Sequence, residues 1–193
     1  RPHEITEAMA PVLPASFWMS VLEALWLGGV KAVRFTGGEP LLYPHLYELL
    51  EAVQKKGWFS DISMTTNGSL LSQQADKLYT AGVRRLNISL DSVEEEGFAQ
   101  AVGRSGQLER VLQGIEAAKT AGFKNIKINT VVQKPMSDEE VRVLLHYGDT
   151  WNVVWRFIEY MPFQGKQSHV PTFQEWKAQL ERIVGAPLEL VSD

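Results

Sequence analysis

The sequence predicts an α/β fold: about five parallel strands in one sheet, with helices packed on its outside. Three observations carry that expectation. Glycines recur at Gly29, Gly57, Gly82, Gly122 and Gly148, each between an amphipathic stretch and a β-branched run. Each expected strand alternates apolar and polar residues. Polar residues and glycines also gather where the strands end. A helix that closes on glycine and leads within a few residues into a strand is the mark of repeated βα units.

Taken in order, a first helix is expected over 16–28 and a first strand over 30–35, which breaks into "FTGGEPLL" (Phe35 to Leu42). Helix 43–56 leads to strand 60–65, and helix 70–81 to strand 84–90. Val93 to Gly106 reads as an acidic, then glycine-bearing, loop. Helix 107–121 and strand 125–132 follow. Ser137-Asp138-Glu139-Glu140 marks a helix start with acid in the first turn, giving helix 137–148 and strand 153–159. Pro171-Thr172 opens a last helix over 172–184 in the same manner. No stretch reads as a linker, so residues 1–193 are expected to form one domain, with a core at about 30–163 and a C-terminal helix and tail at 164–193.

Composition narrows the function classes. The net charge of −4 and the lack of any basic run disfavour nucleic-acid binding through the phosphate backbone. No apolar run approaches the ~20 residues of a membrane span and no signal peptide opens the chain, so a cytoplasmic protein is expected. The absence of cysteine removes disulfides, thiolate nucleophiles and iron–sulfur ligands from these residues. His3, His45, His146 and His169 lack ligand spacing and are expected at the surface or in packing, with no metal site. The chain begins at Arg1, as a processed chain or an excised piece would.

Strand parity is the most informative physical clue. Val33 and Phe35 oppose Arg34 and Thr36, while Ile62 and Met64 oppose Ser63 and Thr65. Leu86, Ile88 and Leu90 oppose Asn87, Ser89 and Asp91, and Ile126 and Ile128 oppose Lys127 and Asn129. Side chains alternate across a strand, so every strand has one apolar and one polar face. Parallel sheets covered on both sides read as continuously apolar, and closed barrels fill with branched apolar residues. Here the apolar face suits outer helices, and the polar face suits a cavity that holds a polar ligand or water; the alternative is an open sheet with one wet face, unusual for parallel strands. "TGGEP", "TTNG", "SLDS" and "EYMP" all fall at carboxyl ends of strands, where sites of parallel α/β folds form.

The ordered set "VRFTGGEPLL", "TTNGSLL", "RRLNISLDS", "IKINTVV" and "WRFIEYMP" resembles the radical S-adenosylmethionine (SAM) enzymes, specifically the GTP 3′,8-cyclase branch of molybdenum cofactor biosynthesis. The likeness runs from about Lys31 to Pro162. It implies a partial (βα)6 TIM-like barrel, with a 4Fe–4S cluster on a CxxxCxxC loop after the family's first strand. That cluster cleaves SAM to a 5′-deoxyadenosyl radical, which abstracts the 3′ hydrogen of GTP; the sugar radical then attacks C8 of the guanine. Carried over residue by residue, the resemblance assigns SAM contacts to Gly37, Gly38, Glu39, Ser89 and Met161. It assigns GTP contacts to Arg34, Thr65 and Lys127, three residues that parity already places on the polar face. Two cations there suit a triphosphate. Glu39 suits either the cofactor or a brace for its turn, and Arg156 with Glu159 suits either an ion pair or a ligand role. Asn67, Asn87 and Asn129 suit site linings or turn and network positions.

The chain departs from the family in three places. The first strand with its cysteines would precede residue 1, the second cluster would follow Asp193, and Tyr43 stands where the family usually has arginine. These departures imply the central barrel portion of a longer enzyme, inactive by itself for want of cluster ligands. The alternatives are a cysteine-free paralogue that binds nucleotide or a partner, and a radical SAM enzyme with another substrate. An unpaired edge on strand 30–35 would also offer a route to a homodimer.

Overall fold

The computed structural model describes residues 12–103, 105–160 and 170–189. It contains one sheet of five parallel strands in the order β1-β2-β3-β4-β5, so each strand lies beside its sequence neighbour. The strands are β1 (Ala32–Phe35), β2 (Asp61–Thr66), β3 (Arg85–Ser89), β4 (Asn125–Val132) and β5 (Val154–Glu159). The helices are α1 (Ala15–Leu27), α2 (Leu46–Lys56), α3 (Leu71–Thr80), α4 (Glu95–Val102), α5 (Leu108–Thr120), α6 (Asp138–Trp151) and α7 (Phe173–Val184). This is the partial barrel expected from the sequence, with β1 and β5 as its two edges.

The apolar strand faces pack under the helices. Met64, Leu86, Ile88 and Ile128 are wholly buried there with Leu50, Leu78 and Ile115. Burying each such side chain favours folding by about 1.5–3 kcal/mol before entropy is counted. A smaller cluster (Val132, Val141 and Trp176) seats α7 against α6 and the end of β4. Capping boxes start both helices: Ser137 Oγ accepts from Glu140 N–H at 3.2 Å, and Thr172 Oγ1 from Glu175 N–H at 3.3 Å. Arg182 pairs with Asp138, which joins α7 to the first turn of α6.

Three expectations need correction. Residues 93–106 are not all loop, because Glu95–Val102 forms α4, its first turn carrying Glu95 and Glu96 and its end closed by Gly103 at φ 74°. Helix 43–56 starts later, at Leu46, after a separate 3-10 turn over Pro40–Leu42. Gly148 does not end its helix: α6 runs to Trp151 and closes on Asn152 at φ 53°. Asparagine tolerates that left-handed conformation better than most residues, which is why the glycine pattern misplaced the boundary.

α1 is sparsely covered. Only Ala15 and Leu22 are buried in it, while Phe17, Trp18, Leu25 and Leu27 are exposed. Beside it, an apolar groove of about 640 Å³ runs along the free edge of β1, between Trp18, Leu22 and Leu25 on one side and Val33, Phe35 and Leu49 on the other.

Candidate functional site

Register sets the polar face in rows. Arg34 lies beside Ser63, which lies beside Arg85. In the next row Thr65, Asn87 and Lys127 are neighbours. In the row nearest the strand ends, Ser89 stands beside Asn129 and Asn129 beside Arg156. Arg34, Thr65, Lys127 and Ser89 are therefore brought to one face from four different strands. Ser63 and Asn87 are buried, Lys127 and Thr65 are half-buried, and Arg34 and Ser89 are exposed.

Charge on this face is uneven for a physical reason. Arg85 forks onto Asp61, its Nε donating to Oδ1 at 2.8 Å and its second nitrogen pairing with Oδ2. That pair neutralises the cation that shares a row with Arg34. Arg34, Lys127 and Arg156 have no ion-pair partner among the described residues. Arg156 and Glu159 alternate onto opposite faces of β5 and form no pair. The uncompensated charge of the sheet's polar face is thus positive, which favours an anion.

The loop after β1 carries the glycines. Gly37 has φ 153°, a backbone state that side chains disfavour, and a Cβ built on Gly37 or Gly38 would meet no protein atom within 4 Å. The backbone there is a bare ledge open to a ligand. Glu39 stands behind it: its Oε1 accepts from Thr66 Oγ1 at 2.8 Å and Leu41 N–H at 3.1 Å, and its Oε2 from Asn67 N–H at 2.8 Å. These bonds are those of a brace for the turn. Asn67 is occupied in its turn, accepting at Oδ1 from Ser69 N–H at 2.9 Å. The buried Oδ1 of Asn129 has no donor among the described residues. Met161, His3 and His169 lie outside the described residues.

A second cavity, of about 310 Å³, opens between the loops after β3 and β4, lined by Asp91, Gln100, Gln133, Lys134, Met136 and Leu144 among others. Burial pushes the Asp91 carboxyl above the usual range, against the opposing effect of Val131 N–H, which donates to its Oδ1 at 2.8 Å. Sequence reasoning did not single out this carboxyl or the Thr66 hydroxyl. Each sits next to a residue with a plainer polar role, and only the strand ends' geometry separates them.

Five parallel strands with a bare glycine loop at the end of the first and a polar, cationic face make an α/β scaffold of the kind that binds ligands at its strand ends. The chain belongs to the radical SAM superfamily, whose family description matches residues 10–148. It is 45% identical over 159 residues to GTP 3′,8-cyclase 2 of Pseudomonas aeruginosa, covering 80% of this chain and 48% of that protein. It is 46% identical over 141 residues to GTP 3′,8-cyclase of Ectopseudomonas mendocina, covering 73% and 42%. The chain thus spans less than half the length of these two relatives. Its fold resembles that of Streptococcus suis SuiB bound to S-adenosylmethionine, with a TM-score of 0.76, 19% identity, and coverage of 93% of this chain and 42% of that one. A second likeness is to anSMEcpe with bound AdoMet, with a TM-score of 0.70, 18% identity, and coverage of 90% and 50%.

The residues present fit the two cofactors of the family differently. The bare Gly37–Gly38 ledge and the exposed Ser89 hydroxyl can receive SAM. The donor set cannot hold a 4Fe–4S cluster through cysteine, because the chain contains none. No described helix is long and apolar enough to cross a membrane.

Proposed function

We propose that the chain is the central barrel of a radical SAM lyase that converts GTP to (8S)-3′,8-cyclo-7,8-dihydroguanosine 5′-triphosphate in molybdenum cofactor biosynthesis. The observation that carries this is the convergence of Arg34, Thr65 and Lys127 on one polar face, beside the ledge of Gly37 and Gly38. The names of the relatives point the same way. In this reading Arg34 and Lys127 bind the triphosphate, and the Thr65 hydroxyl orients it. Gly37 and Gly38 present backbone to the methionine part of SAM, Ser89 bonds a polar group of the cofactor, and Met161 completes its contacts. Glu39 contributes by holding the ledge. When bound, SAM supplies the adenosyl group from which the radical arises. These residues supply no thiolate for an iron–sulfur cluster.

A cytoplasmic setting and GTP as a small-molecule partner belong to this reading, and a homodimer on the β1 edge requires that no preceding strand cover it. The test is turnover by the protein in the full length its gene encodes, with GTP and SAM under reducing conditions. Formation of the cyclic nucleotide supports the proposal, and SAM cleavage without change to GTP refutes the substrate. A second reading, a cysteine-free paralogue that binds nucleotide without radical chemistry, is favoured by the empty cysteine count. A start codon immediately before the Arg1 codon would select it, and a CxxxCxxC motif encoded just upstream would exclude it.

A further inference from the structure

Thr66 ends β2 on the apolar side of the sheet, the side of Ile62 and Met64, and is only 2% exposed. Its row neighbour on β3 is Ile88, and valine would fill the same volume there without a hydroxyl to satisfy. The hydroxyl instead does two things at once. It donates to Glu39 Oε1 at 2.8 Å and accepts from Gly68 N–H at 3.1 Å. Asn67 N–H adds a second bond from the same loop to Glu39, at 2.8 Å. The loop after β1 and the loop after β2 are thereby clipped together through one carboxylate.

The clip is anchored at its far end. Gly68 has φ 78°, and a Cβ there would stand 3.0 Å from both Ile88 and Val111. On α5, a Cβ at Gly114 would stand 2.5 Å from the Gly68 carbonyl oxygen. The turn after β2 is therefore pressed into α5 and β3, with no room to shift. A Cβ at Gly37 or Gly38 would meet no protein atom within 4 Å, and the residue that follows them, Glu39, is held by three hydrogen bonds.

We propose that Thr66 is a positioning residue for the sulfonium cofactor: its buried hydroxyl orients Glu39, and Glu39 holds the Gly37–Gly38 ledge in the shape that receives SAM. The inference rests on the function proposed above and assigns Thr66 no contact with the cofactor. Thr65, one residue earlier, faces the opposite side and belongs to the GTP row, so the two threonines divide between the two ligands.

Equilibrium dialysis on the full-length protein separates these roles. Thr66→Val is expected to weaken SAM binding roughly tenfold or more, the equivalent of one hydrogen bond to a charged group. GTP affinity should stay within about twofold, and Thr66→Ser should restore SAM affinity, because the hydroxyl and not the methyl makes the clip. Should Thr66→Val fail to fold, Glu39→Gln is expected to give the same split, since its amide nitrogen meets donors where an acceptor is required. Undiminished SAM affinity in Thr66→Val, an equal loss for both ligands, or no rescue by serine would overturn the proposal. Wild-type protein that binds no SAM would instead refute the function on which it rests.

Discussion

Thr65 and Lys127 stand in the same row of the sheet, with Asn87 between them and no cation partnered to an acid in that row. Strand spacing places their backbones about 10 Å apart, and Arg34 lies one row, about 7 Å, nearer the strand starts. Arg85 would add a further charge to this face beside Arg34, Lys127 and Arg156, but Asp61 already holds it. What remains is a hydroxyl flanked by separate cations, an arrangement that suits an extended polyanion better than a single carboxylate.

Thr130 ties the last three strands together. Its buried hydroxyl donates to Leu90 O at 2.6 Å and accepts from Trp155 Nε1 at 2.8 Å. Thr130→Val should strand an indole N–H and a carbonyl, and so cost about 1–3 kcal/mol each way the loss is counted. The thermal midpoint is expected to fall by about 3–9 °C, at the few degrees per kcal/mol usual for this chain length. Thr130→Ser should stay close to wild type. Equal midpoints for valine and threonine would remove Thr130 from this role.

Gly114 sets helix propensity against sterics. Alanine in a helix interior is favoured over glycine by about 1 kcal/mol. Here its Cβ would meet the Gly68 carbonyl oxygen at 2.5 Å and Leu71 Cβ at 3.0 Å, neither of them a flexible chain end. Gly114→Ala is therefore expected to destabilise the fold in chemical denaturation, and a more stable variant would show that the turn after β2 can yield.

Asp91 yields a pH prediction whose sign follows from burial. Its carboxyl is raised by desolvation, so the folded state binds the proton more tightly than the unfolded state does. Its contribution to stability is full below the unfolded value and is lost as pH rises through the folded one. Asp91→Asn keeps an acceptor for Val131 N–H and carries no charge. The variant should melt above wild type at neutral pH, with the difference shrinking as the solution is made acidic. A difference that grows toward acid would reverse the assignment.

The sheet was legible because period-two alternation on successive strands leaves no other arrangement of Ile62, Met64, Leu86 and Ile88 than one shared apolar face. The same parity puts Arg34, Thr65 and Lys127 on one polar face. α4 was hidden because Glu94-Glu95-Glu96 followed by Gly97 reads as a solvated turn, although acid suits a helix's first turn and Gly97 fits closely against Ser92. Asn152 was hidden by the nearer Gly148. Thr66 could not be read at all, since its bond to Glu39 spans 27 residues and depends on how two strand ends meet.

Binding of GTP by the full-length Lys127→Ala protein bears on the whole reading of the polar face. Lys127 has no described ion partner to leave stranded, so the variant should fold normally and lose one charge-assisted contact, about 1.5–3 kcal/mol. The expected result is a rise in the GTP dissociation constant of roughly tenfold or more, with SAM affinity unchanged. An unaltered GTP dissociation constant in Lys127→Ala, and likewise in Arg34→Ala, would contradict the assignment of this face to the triphosphate.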